Sequence, residues 1–209
     1  MTRTAATLAV LAACAMPALA QRGANDAAPA NRADAKGVWN VDTKLSQVNF
    51  VVQHMVVNRV RGKFTAFDGS INAEPANLAK STVTFTVKTA SVDTGNTGRD
   101  DHLRNADFFD APKYPDMTFT STKVVRKGDS YIATGNLSMH GITKPITFPF
   151  TVTGPVKGQQ GDLRAGMNAK FPISRKSYGL TWNRIIEGTG VAVGDTVDIE
   201  LDLVFVKTK

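Results

Sequence analysis

The chain has 209 residues, with 25 Lys and Arg against 18 Asp and Glu, a formal net charge of +7 and one cysteine. A single cysteine excludes a disulfide framework and a Cys-ligated metal site, and basic residues scattered without a basic helix or an aromatic-interleaved cluster speak against nucleic acid as a partner. The positive balance predicts a soluble surface with transient attraction to an anionic membrane.

Residues 1–20 run from a basic start at Arg3 through an apolar stretch, Ala5 to Ala15, to Ala18-Leu19-Ala20. That order predicts a secretory signal peptide cleaved before Gln21, and hence a periplasmic or secreted protein. The stretch is shorter than the roughly 20 residues a membrane span needs. A second reading treats Leu11-Ala12-Ala13-Cys14 as a lipobox, which would leave a lipoprotein acylated at Cys14. Against it, that cleavage makes a very short signal and leaves the small residues at 18 and 20 unexplained. Residues 21–36 are polar and alanine-rich and read as a flexible linker. The remainder, 37–209, suits one domain.

From Val38-Trp39 onward the dominant pattern is alternation with period two, the mark of half-buried strands. Val48, Phe50 and Val52 alternate with Gln47, Asn49 and Gln53, and the line continues to His54 and Val56. A weaker strand fits 60–73. Val83, Phe85 and Val87 then alternate with threonines and Lys88. The one helical segment lies within 97–109, where Thr97 and Asp100 approximate a capping box and Leu103, Ala106, Phe108 and Phe109 supply an apolar side. Asp110-Ala111-Pro112 ends it.

Further strands fit 116–126, 130–140, the run Ile146, Phe148, Phe150 and Val152, and 163–175. The last strand puts Val197, Ile199, Leu201, Leu203 and Phe205 on one face and Asp198, Glu200 and Asp202 on the other. Gly128-Asp129, Gly141, Gly154-Pro155, 158–162 and Gly194-Asp195 are expected to reverse the chain. With about eight strands and one helix to cover them, the sheet is expected to close into an antiparallel barrel. Strands of eight to ten residues would give a bore of roughly 30 Å.

Several segments together resemble the YceI-like family of polyisoprenoid-binding periplasmic proteins. They are WNVDTKLSQVNFVVQHM at 39–55, VRGKF at 60–64, ASVDTGNTGRDDHLRNADFFDAPKYPDMTFTST at 90–122, GNLSMHGITKPITF at 135–148, and Phe171 to Gly179 with Arg175. The resemblance implies an all-β fold, a single extended, lipocalin-like, eight-stranded antiparallel barrel with one short helical segment. It also implies that the barrel binds, and carries or stores, a long-chain isoprenoid lipid such as a polyprenyl phosphate or an isoprenoid quinone.

Alternation alone allows Phe50, Val52, Phe64, Phe85, Val87, Phe119, Leu137, Ile146, Phe148, Leu201 and Leu203 either to fill a solid core or to line a cavity. The resemblance selects the cavity. Arg99, Asp100 and His102 stand at the start of the helical segment, where free backbone N–H groups favour an anion or a quinone oxygen. The competing reading has Asp100 capping the helix and pairing with Arg99 to pin the loop. His54, His102 and His140 lack the spacing of metal ligands, and no nucleophile elbow, HExxH or phosphate loop is present. No metal, cofactor or catalytic residue is therefore expected. The expected partner is an isoprenoid lipid or similar amphiphile, with a homodimer as a further expectation. The rival readings are an enzyme acting on an isoprenoid or a stress-related small molecule, and an interaction module with a filled barrel.

Overall fold

In the computed structural model, residues 35–55, 57–186 and 190–208 are described. The expected signal segment, Cys14, and the expected linker up to residue 34 lie outside the described residues, as does Val56. The last two linker residues are joined to the barrel. The Trp39 indole Nε1 donates to the Ala35 carbonyl at 2.9 Å, and Lys36 pairs with Glu74 at 2.8 Å.

Alternating side chains build β1 (Gly37–Val41), β2 (Gln47–His54), β3 (Asn58–Phe64), β4 (Phe67–Ala73), β5 (Thr82–Lys88) and β6 (Val92–Asp93). The helix α1 (Thr97–Arg104) follows, then β7 (Asp116–Lys127), β8 (Ser130–Met139), β9 (Ile142–Lys157) and β10 (Leu163–Ser174). Two short pieces, β11 (Ile185–Ile186) and β12 (Gly190–Val191), precede the long β13 (Val193–Lys207).

On one side β13 pairs with β10, and on the other with β2 along its first part and β1 along its last. β1 and β2 therefore share one stave of the barrel, interrupted at 42–46. β3 and β4 share the next, interrupted at Thr65-Ala66, and β6 and β5 flank them in turn. With β7, β8, β9, β10 and β13 this closes an eight-stranded antiparallel barrel, which leaves no long unpaired edge among the described residues.

Two expected reversals are corrected. Gly154-Pro155 and Gly194-Asp195 lie inside β9 and β13, and the registers shift beside them, between Arg164 and Gly166 and between Val193 and Val197. An extra residue in a long strand bends it without ending the ladder. Gly128 and Gly141 do turn the chain, with φ of 61° and 74°. The helix starts differently from the expected capping box. Asn96, not Thr97, is the N-cap, because its backbone is extended and its Oδ1 accepts from the Arg99 N–H at 3.0 Å.

Sharp curvature comes from aromatic rings laid over glycines on the neighbouring strand. The Phe50 ring covers Gly62, its register partner, and the Phe119 ring covers Gly135; a Cβ on either glycine would stand well under 3.0 Å from ring carbons. A smooth interior wall results where two ordinary side chains would collide. On the outer face of β10 and β13, Lys170 meets Glu200 at 2.6 Å and Asn168 meets Asp202 at 2.5 Å. Such exposed cross-strand pairs fix register more than they stabilise.

Candidate functional site

Inward-facing residues of the strands do not meet across the barrel. They enclose a cavity of about 1160 Å³. Phe119, Phe148 and Phe171 form one side, with ring centroids 5.4 Å and 4.2 Å apart in succession. Leu201, Leu203 and Phe205 of β13 and Phe85 and Val87 of β5 form much of the rest.

The two ends of this cavity differ. At one end the wall passes through exposed residues, including Ala76, Asn77, Lys123, Val125, Arg126, Asp129 and Val152. This is the mouth, framed by the β7–β8 turn and the short 3-10 helix at Leu78–Lys80. At the other end the wall consists of Met117, Leu137, Met139, Phe171, Ile173 and Ile199, none of them exposed. Behind them Met139, Tyr178 and Leu180 form a closed cluster with Phe109. That cluster is a floor.

Arg175 holds the floor segment. It is 4% exposed and its guanidinium donates to the carbonyls of Leu180 at 2.6 Å, Trp182 at 2.8 Å, Gly194 at 2.9 Å and Val193 at 3.1 Å. Asn183 adds a second clasp, donating to the Val193 carbonyl at 2.7 Å and accepting from its N–H at 3.0 Å. Burial pulls the Arg175 guanidinium below the ordinary arginine value, against the opposing attraction of Asp195. Burial also raises the Tyr178 phenol.

Nine of the residues singled out from sequence stand on the cavity wall: Phe64, Phe85, Val87, Phe119, Leu137, Ile146, Phe148, Leu201 and Leu203. Phe50 and Val52 do not. Phe50 is buried against Phe64 at 5.5 Å with its ring over Gly62, so its side chain is spent on closing the sheet. Val52 is half-buried further along β2, beyond the floor side of the wall.

Arg99, Asp100 and His102 also lie off the wall. Asp100 is 6% exposed and its carboxylate accepts from the N–H of Thr94 at 2.9 Å and from its hydroxyl at 2.5 Å. Arg99 donates to the same hydroxyl at 2.7 Å and to the Thr94 carbonyl at 3.0 Å. Thr94 thus relays between the two, which do not pair directly. His102 meets Asp107 at 2.9 Å and sits edge-on to Phe108 and Trp182 at 5.0 and 4.8 Å. All three side chains pin α1 beside the floor, at the end opposite the mouth. Among the described residues no group of three or more His, Cys, Asp or Glu gathers as a metal site.

This barrel has known relatives. The YceI-like domain matches residues 39–205, nearly the whole of the barrel. The chain belongs to the YceI-like family. Protein YceI of Escherichia coli O6:H1 is 41% identical over 133 residues, which cover 64% of this YceI-like chain and 70% of the relative. The crystal structure of Burkholderia cenocepacia BcnA superposes with a TM-score of 0.69 at 28% identity, covering 78% of this chain and 98% of that one. A polyisoprenoid binding domain from Saccharophagus degradans, implicated in plant cell wall breakdown, superposes at 0.63 and covers 81% and 98% of the two chains. Its identity of 17% makes that likeness one of fold.

Sequence reasoning missed several wall residues of this YceI-like barrel. Trp39, 4% exposed, lines the cavity from β1, a strand too short to show alternation. Val124 and Arg126 face inward because the register of β7 against β8 shifts between Ser121 and Lys123. Counting by twos from Phe119 would instead select 123 and 125. The floor residues Tyr178 and Leu180 come from a turn and carry no periodic signal.

Proposed function

We propose that this barrel carries or stores a long-chain isoprenoid lipid in the cell envelope, with the lipid tail inside the cavity. The observation that carries the reading is the cavity: about 1160 Å³, apolar along its length, with one mouth and a floor. A cavity of roughly 150 Å³ holds one benzene, so by that yardstick this one has room for on the order of 40 carbon atoms. Each buried CH₂ is worth about 0.8 kcal/mol, so a five-carbon isoprene unit gains roughly 3 to 4 kcal/mol on leaving water. Affinity then grows with chain length and needs no polar recognition inside the bore.

The polyisoprenoid binding assigned to the Saccharophagus degradans domain favours an isoprenoid over other long chains. No histidine, cysteine or glutamate stands among the described wall residues, which favours binding over turnover. The signal-peptide reading of residues 1–20 agrees with a periplasmic site of action, where such a tail needs cover to cross water.

The test is organic extraction and mass spectrometry of protein purified from its native compartment without detergent. A stoichiometric isoprenoid amphiphile is expected, and Val87→Trp should fold and come out empty. Folded wild-type protein that yields no amphiphile, and takes up neither added polyprenyl phosphate nor added quinone, would end this reading.

A further inference from the structure

The rim of the mouth carries positive charge that the barrel does not use. Arg126 lies on the cavity-facing row of β7, directly opposite Tyr131, because of the register shift at Ser121. Its Nε donates to the Gly128 carbonyl at 2.9 Å, which steadies the guanidinium at the β7–β8 turn. Among the described residues its terminal nitrogens have no ion-pair partner, nor has the ammonium of Lys123, which stands on the outward row of β7 and borders the cavity only at its exposed rim. Lys36 is paired with Glu74, and Arg164 with Asp42 and Asp162; Lys80 and Lys127 belong to the elements that frame the mouth but stand off the cavity wall. Asp129 is the one carboxylate on the described wall.

The geometry points to an anionic head group, a phosphate or a carboxylate, held at this rim by Arg126 with help from Lys123, while the tail runs down the bore towards Met139. The inference rests on the lipid-carrying reading above and narrows its ligand to an anionic amphiphile. A guanidinium offers paired N–H donors in a plane that matches two oxygens of a phosphate or carboxylate. Beside an apolar wall the attraction is less screened than in open water. The helix start offers no such group, since Arg99 and Asp100 are both committed to Thr94.

The test compares three ligands with one tail: geranylgeranyl phosphate, geranylgeranoic acid and geranylgeraniol. Each is titrated into delipidated full-length mature protein at low salt. Wild type is expected to prefer at least one of the two anions over the alcohol by about ten-fold, the scale of one charged hydrogen bond. Tighter binding of the phosphate assigns the rim to phosphate heads, and equal or tighter binding of the acid assigns it to carboxylates. In the variant carrying Arg126→Gln and Lys123→Gln the preference should vanish with alcohol binding unchanged, whereas Arg99→Gln should keep it.

Added salt should erode the preference in wild type without weakening the alcohol, and Asp129→Asn should enlarge it. These two measurements decide the matter if the double variant does not fold. Equal binding of all three ligands by wild type, a preference surviving in a folded double variant, or its loss in Arg99→Gln would overturn the head-group assignment and leave the lipid-carrying reading intact. Failure of all three ligands to bind would overturn both.

Discussion

At the scale of single residues, the most consequential side chain outside the cavity is Arg175. Replacing it with Met leaves the carbonyls of Leu180, Trp182, Val193 and Gly194 without their donor, and each unmade buried bond is costly. Arg175→Met is expected to lower stability by about 3 to 5 kcal/mol in urea denaturation, because each buried carbonyl left without its donor costs about 1 to 3 kcal/mol and part of that is recovered by relaxation. Arg175→Lys should recover only part, since an ammonium cannot span four carbonyls. Glu200 gives a pH signature. Its hydrogen bond to Lys170, with Arg61 and Arg59 nearby, holds its carboxyl below the usual glutamate range. A lowered folded-state value means that the stabilisation is present above the unfolded value and is lost as pH falls through the folded one. NMR titration should place the Glu200 midpoint below that of an ordinary glutamate, and Lys170→Met should move it upward. Neither role was legible in the sequence beyond the placing of Glu200 on the polar face of its strand. An arginine that clasps four carbonyls has no period, and its partners lie 5 to 19 positions away along the chain.

At the scale of elements, alternation made the strands readable wherever they run without interruption, as β5 and β13 do across their central residues. It failed where an extra residue changes which side faces in, and there the missed wall residues Val124 and Arg126 collect. Glycines read from sequence as turns divided into two kinds: true turns such as Gly128, and sheet-bending positions at Gly154 and Gly194. A third kind, glycine beneath an aromatic ring, predicts a difference between two substitutions. In Gly62→Ala the nearest atoms the new Cβ meets are all in the Phe50 ring, whereas in Gly135→Ala the nearest is the backbone carbonyl oxygen of Thr120. Both fall within the roughly 1 to 3 kcal/mol of overpacking, with Gly135→Ala at the upper end in thermal melts. Adding Phe50→Leu should recover stability in Gly62→Ala. The matching change Phe119→Leu should recover less in Gly135→Ala, because a main-chain oxygen cannot move aside.

At the scale of the whole molecule, closure of an eight-stranded barrel was legible from strand count and the shortage of helix. A cavity was not, because alternation looks the same whether opposing side chains meet or stand apart. Ala133 shows why: it is 2% exposed, sits on the wall and leaves space that a larger residue would fill. Ala133→Trp is expected to keep the barrel folded by circular dichroism while reducing the longest isoprenoid it retains on extraction; unchanged retention would place the tail elsewhere. The floor of Met139, Tyr178 and Leu180 has a consequence for traffic. Among the described residues the tube is closed at its base and open at its mouth, so whichever end of a chain enters first must leave last, and the end that entered last stays within reach of whatever collects it. Such a tube also measures, because any chain longer than its depth must leave its surplus outside in water, where a second protein or a membrane could grip it.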